Sequence, residues 1–208
     1  MIPHALILAG GQSRRFGRDK LRLAVGGRSL LSHGARRLQA AGFIPILLTR
    51  GPPPLEMAHV PWLGDGIPDE GPLMALAGAL ARLREERFLV VAGDMPSLPM
   101  AVARLLWTSR PAALVTILDH SPLPGVYHRA LLPVMRSLLA RGERSLRAVI
   151  RNVAPDTVVR IPAAEWRCFD PDGETLVNIN DPADWRRFVE DLHTRGPTLS
   201  GKQPPEKR

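Results

Sequence analysis

Two short runs, Ala5–Ala9 (ALILA) and Phe88–Ala92 (FLVVA), are apolar at every position. A strand with one wet face alternates apolar and polar residues, so an unbroken apolar run predicts a strand covered on both faces. The usual setting for such strands is a parallel sheet packed between helices. The stretches between them fit that setting. Leu30–Ala41 carries Leu30, Leu31, Ala35 and Leu38 at helical spacing, and Leu73–Leu83 sets Leu73, Leu76, Leu80 and Leu83 on one face. Helices are also expected around Met100–Trp107 and Ala130–Ala140. Further strands are expected at Phe43–Leu48, where Pro45 weakens the reading, and at Ala112–Leu118. The fold class is therefore α/β with a mostly parallel sheet, and 208 residues suit a single domain. There is no internal repeat, and the polar, Pro-rich tail from Gly196 to Arg208 is expected to be disordered.

Cys168 is the sole cysteine, which excludes an internal disulfide or a Cys-rich zinc site and fits a reducing compartment. No apolar run reaches the roughly 18 residues of a membrane span. The opening MIPHALILAGG reads as a first strand and not as a signal peptide, so a cytoplasmic location with no membrane association is expected. A net charge of +8, from 28 basic and 20 acidic residues, favours anionic partners. Nucleic acid is not expected, because aromatic residues do not interleave with the arginines. Three of the basic residues are lysines, and Lys202 and Lys207 belong to the tail. The third, Lys20, stands in a glycine-rich segment where a compact ammonium differs usefully from a guanidinium.

Ligands of open α/β sheets bind beyond the carboxyl ends of the strands. Beyond the first strand runs Leu8-Ala9-Gly10-Gly11-Gln12-Ser13-Arg14-Arg15-Phe16-Gly17-Arg18-Asp19-Lys20. Its glycines let backbone N–H groups turn toward an anion, and its cations surround the same loop. It is neither a Walker A segment nor GxGxxG, and the plainer alternative is a glycine turn followed by a solvated basic stretch. Beyond Phe88–Ala92 comes Gly93-Asp94-Met95-Pro96. Asp94 is a candidate Mg²⁺ ligand; alternatively it caps the helix starting near Pro99 or makes a turn. Between them, Gly64–Leu73 carries Asp65, a candidate for a sugar hydroxyl, a base amino group or a second metal, or else a solvated loop residue. Asp69 and Glu70 are most simply charges favourable to the following helix dipole. Gly71-Pro72 then opens a helix whose N-terminus is open to an anion or polar ligand.

LAGGQSRRFGRDK resembles the signature loop LAGGxSxRMGxDK of the MobA-like nucleotidyltransferases. GPLMAL resembles their GPLAG segment, and AGDMPSLP their CDxPxxxP turn. Arg141–Arg144 and Val177–Asp184 resemble the AGERR and VNxNTPED elements, which favour the molybdenum cofactor guanylyltransferase branch. The resemblance implies a Rossmann-like three-layer sandwich over residues 1–195. It further implies transfer of GMP from GTP to molybdopterin-bound molybdenum, with Mg²⁺ as cofactor and pyrophosphate as second product. Close alternatives are cytidylyl transfer to the same pterin or another Mg²⁺-dependent nucleotidyl transfer, and more distantly a non-catalytic nucleotide-binding protein. By the same resemblance Leu8, Ala9, Gly10 and Gly11 hold the nucleotide, Lys20 its phosphates and Asp94 the metal. Arg15, with Arg14 as substitute, stabilises the leaving group. Asp65 lies close to the family's nucleotide-binding aspartate, one residue out of register. Thr49 falls where the family has asparagine. Asn178 and Asn180 face the pterin, or simply turn the chain before Pro182, and Gly142–Arg144 offer a basic contact to the pterin phosphate. Transient contacts are expected with a molybdopterin-supplying protein and with acceptor molybdoenzymes. None of the six histidines has metal-ligand spacing, and the four tryptophans read as packing residues.

Overall fold

The computed structural model describes residues 2–10, 20–64, 71–171 and 173–195, with backbone alone at Lys20 and Arg195. The two fully apolar runs become neighbouring strands at the centre of a sheet. Strand β1 (His4–Leu8) points Ala5 and Ile7 into the core on one face and Leu6 into the core on the other. The later run, within Arg87–Ala92, does the same with Leu89 and Val91 against Phe88 and Val90. Both faces are dry along these runs, and the polar residues His4 and Arg87 stand only at the first position of each strand.

Among the described residues nine strands form: β1; β2 (Ala24–Val25); β3 (Arg28–Ser29); β4 (Ile44–Thr49); β5 (Trp62–Gly64); β6 (Arg87–Ala92); β7 (Val115–Leu118); β8 (Ser121–His128); and β9 (Val158–Ile161). Seven make the main sheet in the order β5-β4-β1-β6-β8-β7-β9. Every neighbouring pair is parallel except the two that involve β8. Helices α1 (Leu30–Ala40), α3 (Met100–Ser109), α6 (Ala163–Trp166) and α7 (Pro182–Arg195) cover one face. Helices α2 (Gly71–Arg82), α4 (Leu132–Ala140) and α5 (Leu146–Arg151) cover the other, completing the expected three layers. None of these helices is long and apolar enough to cross a membrane. The tail from Gly196 lies outside the described residues.

Pro45 sits within β4 despite its missing N–H. Ile44 N–H donates to Pro3 on the β1 side, so the next residue's nitrogen faces the β5 side. Pairing with β5 begins only at Leu47, whose N–H donates to Pro61, and Pro45 therefore leaves no ladder partner unmet.

Strand β8 has no counterpart among the strands expected from sequence, because Pro122, Pro124 and Gly125 interrupt its pattern. Its ladder with β6 starts at Gly125, beyond both prolines. A Cβ at Gly125 would stand 2.9 Å from Ile117 Cγ2, so the backbone crosses β7 where only glycine fits. The fully buried Tyr127 anchors the irregular half by donating its hydroxyl to the Pro122 carbonyl at 2.6 Å. Burial pushes that phenol's pKa upward, so it stays protonated as a donor.

Between β1 and α1, Leu21, Leu23 and Val25 are buried in alternation with exposed Arg22 and Ala24. Gly26 and Gly27, both at positive φ, turn the β2–β3 hairpin as such two-residue loops require. Ser29 then caps α1, accepting the Ser32 N–H at 3.3 Å. His33 Nε2 lies 3.1 Å from the Val25 carbonyl, tying hairpin to helix. Burial foremost, with Arg28, Arg36 and Arg37 nearby, holds this imidazole below its ordinary pKa, which keeps it neutral.

Candidate active site

Three of the strand ends singled out in the sequence meet at one edge of the sheet. Leu8 is in register with Leu48 on one side and with Ala92 on the other. The main chain stays locked just past the strands: Ala9 N–H donates to Leu48 at 2.8 Å, and Gly93 N–H donates to Leu8 at 2.9 Å. The chain leaves β1 for β4 and β5 on one flank, then returns through α2 to β6 on the other. That reversal is the switch point at which doubly wound sheets open a crevice for ligands. Leu8, Ala9 and Gly10 line its central rim, half-buried, while Gly11, Arg14 and Arg15 lie outside the described residues.

Asp94 follows directly on this edge, in a turn where Met95 N–H donates to Ala92 at 3.2 Å. Met95 and Leu98 are each 5% exposed, so the turn is rooted in the core while Asp94 itself stays half-buried. Its own carbonyl accepts the Ile179 N–H at 2.9 Å. The helix after the turn begins at Met100, and its cap residue Pro99 makes no side-chain cap bond.

Lys20 opens a 3-10 turn over Lys20–Arg22. The next residue, Leu21, is 6% exposed, and its side chain lies against Gly93. The main chain at Lys20 and at Asp94 thus each stands one residue from a shared packing contact. Arg22 reaches in the other direction, donating to the Pro52 carbonyl at 3.3 Å, and so draws the segment after β4 toward the same turn.

Thr49, at 7% exposed, donates its hydroxyl to the Gly51 carbonyl. The group is turned onto its own loop, and its oxygen keeps lone pairs with which to accept. Thr49 is paired with Gly64, the last residue of β5, so the segment carrying Asp65 starts from this same edge. Asp65, Asp69 and Glu70 themselves lie outside the described residues.

At the start of α2 the structure modifies the expectation of an open helix end. Pro72 has no N–H, and the Leu73 N–H donates to the Arg144 carbonyl at 3.2 Å. The Arg144 guanidinium in turn donates to Leu139 at 3.3 Å and Glu143 at 3.0 Å, holding its loop in shape. The Arg141–Arg144 element therefore buttresses α2. Gly71, at φ +80°, fits only because it lacks a Cβ, which would stand 2.9 Å from the Arg144 carbonyl oxygen. Gly71→Ala is expected to lose about 2–4 kcal/mol of stability, read by urea unfolding, since both its dihedral and that backbone oxygen oppose a side chain.

The C-terminal element arrives at the same edge through Ile179. Asn178 and Asn180 flank it and are exposed, while Ile179 is 2% exposed in the core. What shapes the chain before Pro182 is mainly a pair of aspartates and not the asparagine side chains. Asp181 accepts from Ala183 and Asp184 N–H groups, and Asp184 accepts from Asn180 and Asp181, a reciprocal cap around Pro182. Sequence reasoning missed the Leu21–Gly93 packing and the Ile179–Asp94 bond; the one local signal was the period-two burial pattern from Leu21 to Val25.

Among the described residues no three His, Cys, Asp or Glu side chains cluster as a metal cage. Among the described residues, Asp94 is the carboxylate that follows directly on this edge. A single carboxylate suits Mg²⁺, which keeps its waters and takes further oxygens from phosphates, and it does not suit a metal needing an all-protein shell. Trp107 packs edge-to-face on Phe43 under the Arg87 guanidinium, and Trp166 donates to Asp119 at 3.0 Å, both packing roles.

Residues 5–158 match the MobA-like NTP transferase domain. A protein of Synechococcus elongatus named probable molybdenum cofactor guanylyltransferase is 34% identical over 197 residues, covering 88% of this chain and 95% of that protein. The molybdenum cofactor guanylyltransferase of Syntrophotalea carbinolica is 31% identical, covering 96% and 98%. Among solved structures, molybdopterin-guanine dinucleotide biosynthesis protein A from Archaeoglobus fulgidus superposes with a TM-score of 0.76 at 21% identity, over 92% and 99% of the two chains.

Proposed function

The chain belongs to the MobA-like NTP transferase family and is a nucleotidyltransferase, and from that premise we propose that it transfers GMP from GTP to Mo-molybdopterin, releasing pyrophosphate. The observation that supports this most is the convergence of the β1 and β6 ends, with Leu21 on Gly93 bringing the Lys20 and Asp94 segments to one edge. A nucleotidyl transfer needs positive charge and a metal-holding acid on the same triphosphate, the two parts assigned in this reading to Lys20 and Asp94.

In the reaction, an oxygen of the pterin's terminal phosphate attacks the α-phosphorus of GTP. The new P–O bond forms as the bond to the β-phosphate oxygen breaks, and that oxygen leaves on pyrophosphate with the electron pair. Leu8, Ala9 and Gly10, with Gly11, hold the nucleoside by main-chain groups. Asp65, and Thr49 through its remaining lone pairs, bound the same subsite. Lys20 neutralises phosphate charge as a point cation, and Arg15 receives the departing pyrophosphate. Asp94 holds Mg²⁺, which supplies charge stabilisation at the phosphoryl oxygens when bound. Asn178, Asn180 and the Gly142–Arg144 loop border the acceptor side. The product passes to molybdoenzymes by transient contacts, as the pterin arrives from its supplier.

The chain is to be incubated with each of the four NTPs, Mg²⁺ and Mo-molybdopterin while pyrophosphate is measured. GTP is expected to be preferred by about ten-thousandfold, the scale reached when a site's own hydrogen-bonding groups are left unpaired by the wrong base. EDTA is expected to abolish release. Preference for CTP overturns the guanine assignment, and full activity in EDTA overturns the metal.

A further inference from the structure

Glycine at position 93 is not required by the backbone, because its φ lies outside the left-handed region. What requires it is space. A Cβ there would stand 3.1 Å from the Leu8 carbonyl oxygen, 3.3 Å from Leu21 Cδ1 and 3.4 Å from Leu21 Cδ2. The Leu8 contact is part of the sheet edge itself, since Gly93 N–H donates to that same oxygen at 2.9 Å. The Leu21 contact is different in kind. It joins the turn that begins at Lys20 to the turn that carries Asp94 through a buried contact.

Leu21 has little freedom to move aside. It is 6% exposed in the core that holds Ile7, Val25, Leu30, Val91 and Leu98. Two residues on, the Leu23 carbonyl accepts the Leu30 N–H at 2.9 Å, clamping the segment to α1. On the other side, Asp94 is clamped by Ile179 through its carbonyl and by Met95 through the turn. Each reactive residue is thus one peptide unit from a fixed point, and the two fixed points touch.

Resting on the function proposed above, we infer that Leu21 and Gly93 are a matched pair of positioning residues that set the spacing between Lys20 and Asp94 on the bound triphosphate. A side chain at 93 wedges the two segments apart, and a smaller residue at 21 lets them drift. Both residues are buried, so ground-state affinity is expected to be nearly unaffected while the geometry of the transition state is lost.

The test uses Gly93→Ala, Leu21→Ala and the double variant in the full chain. Each single change is expected to lower kcat by about tenfold to a hundredfold, the penalty of sub-ångström to ångström misplacement, with KM for GTP held within about threefold. The Mg²⁺ concentration that half-saturates GTP binding, read by calorimetry, is expected to rise severalfold in Gly93→Ala. In the double variant the added methyl occupies space the leucine vacated, so its kcat is expected to exceed that of either single variant. Multiplicative losses in the double variant overturn the inference, as does either folded single variant with unchanged kcat. Should Gly93→Ala fail to fold, Leu21→Ala, which adds no atom, decides alone by its kcat. Absence of transfer by the unaltered chain with every NTP overturns the assigned reaction instead. Normal transfer with indifferent variants overturns the positioning pair only.

Discussion

Replacing Asp94 by alanine is expected to lower turnover by about a thousandfold or more while the melting temperature moves by only a few degrees. The two halves of that expectation have separate causes. Main-chain bonds hold the turn that carries Asp94: the Ile179 N–H on its carbonyl, the Met95 N–H on Ala92 and the Gly93 N–H on Leu8. Those bonds survive the loss of a carboxylate. The core beneath the turn, Met95 and Leu98, is likewise untouched. What disappears is the anionic oxygen pair for a hard divalent cation, at an edge where no further acidic or imidazole cluster stands among the described residues. Pyrophosphate release across a range of Mg²⁺ concentrations, alongside calorimetric melting, checks it. A variant within tenfold of the unaltered chain at saturating Mg²⁺ removes Asp94 from the metal role.

Lys20→Ala is expected to cost about a hundredfold to a thousandfold in kcat/KM for GTP, the range for removing one charge-stabilising donor from a phosphoryl site. Lys20→Arg is the sharper comparison. A guanidinium is larger, planar and forked, so at a position proposed to act as a point charge it is expected to recover only part of the loss. This chain makes the comparison pointed, since arginine supplies nearly all of its positive charge and the lysine stands in the glycine loop. Full activity in Lys20→Arg means that charge alone is needed there, and full activity in Lys20→Ala removes the residue from the reaction. The buried neighbour Leu21 holds the main chain through either change.

Much of this molecule was readable residue by residue. The helices from Leu30, Leu73 and Met100 and the strands at the two apolar runs start or end within a few residues of their expected limits. Their signal is burial with a period, which local sequence records directly. Strand β8 was hidden because prolines and a glycine dominate its first half, and its ladder with β6 begins only after them. The helix end at Gly71 looked open because a Gly-Pro start says nothing about which distant carbonyl arrives there, and Arg144 does. The acidic turn at Asp94 was visible as a candidate, with metal binding, capping and turn formation all left standing. A side-chain cap of the following helix has no support, as Pro99 occupies the cap.

The sequence by itself determined that a doubly covered sheet must form, because runs apolar at every position can be satisfied only with both faces dry. It also supplied the candidate reactive groups, through the glycine loop with its lysine and the aspartate after a buried strand. Only the tertiary structure decided that the main chain at Lys20 and the turn of Asp94 reach one edge, because packing of Leu21 on Gly93 and the Ile179 N–H on the Asp94 carbonyl join segments far apart in the chain, and close contact between distant segments leaves no periodic mark in either one.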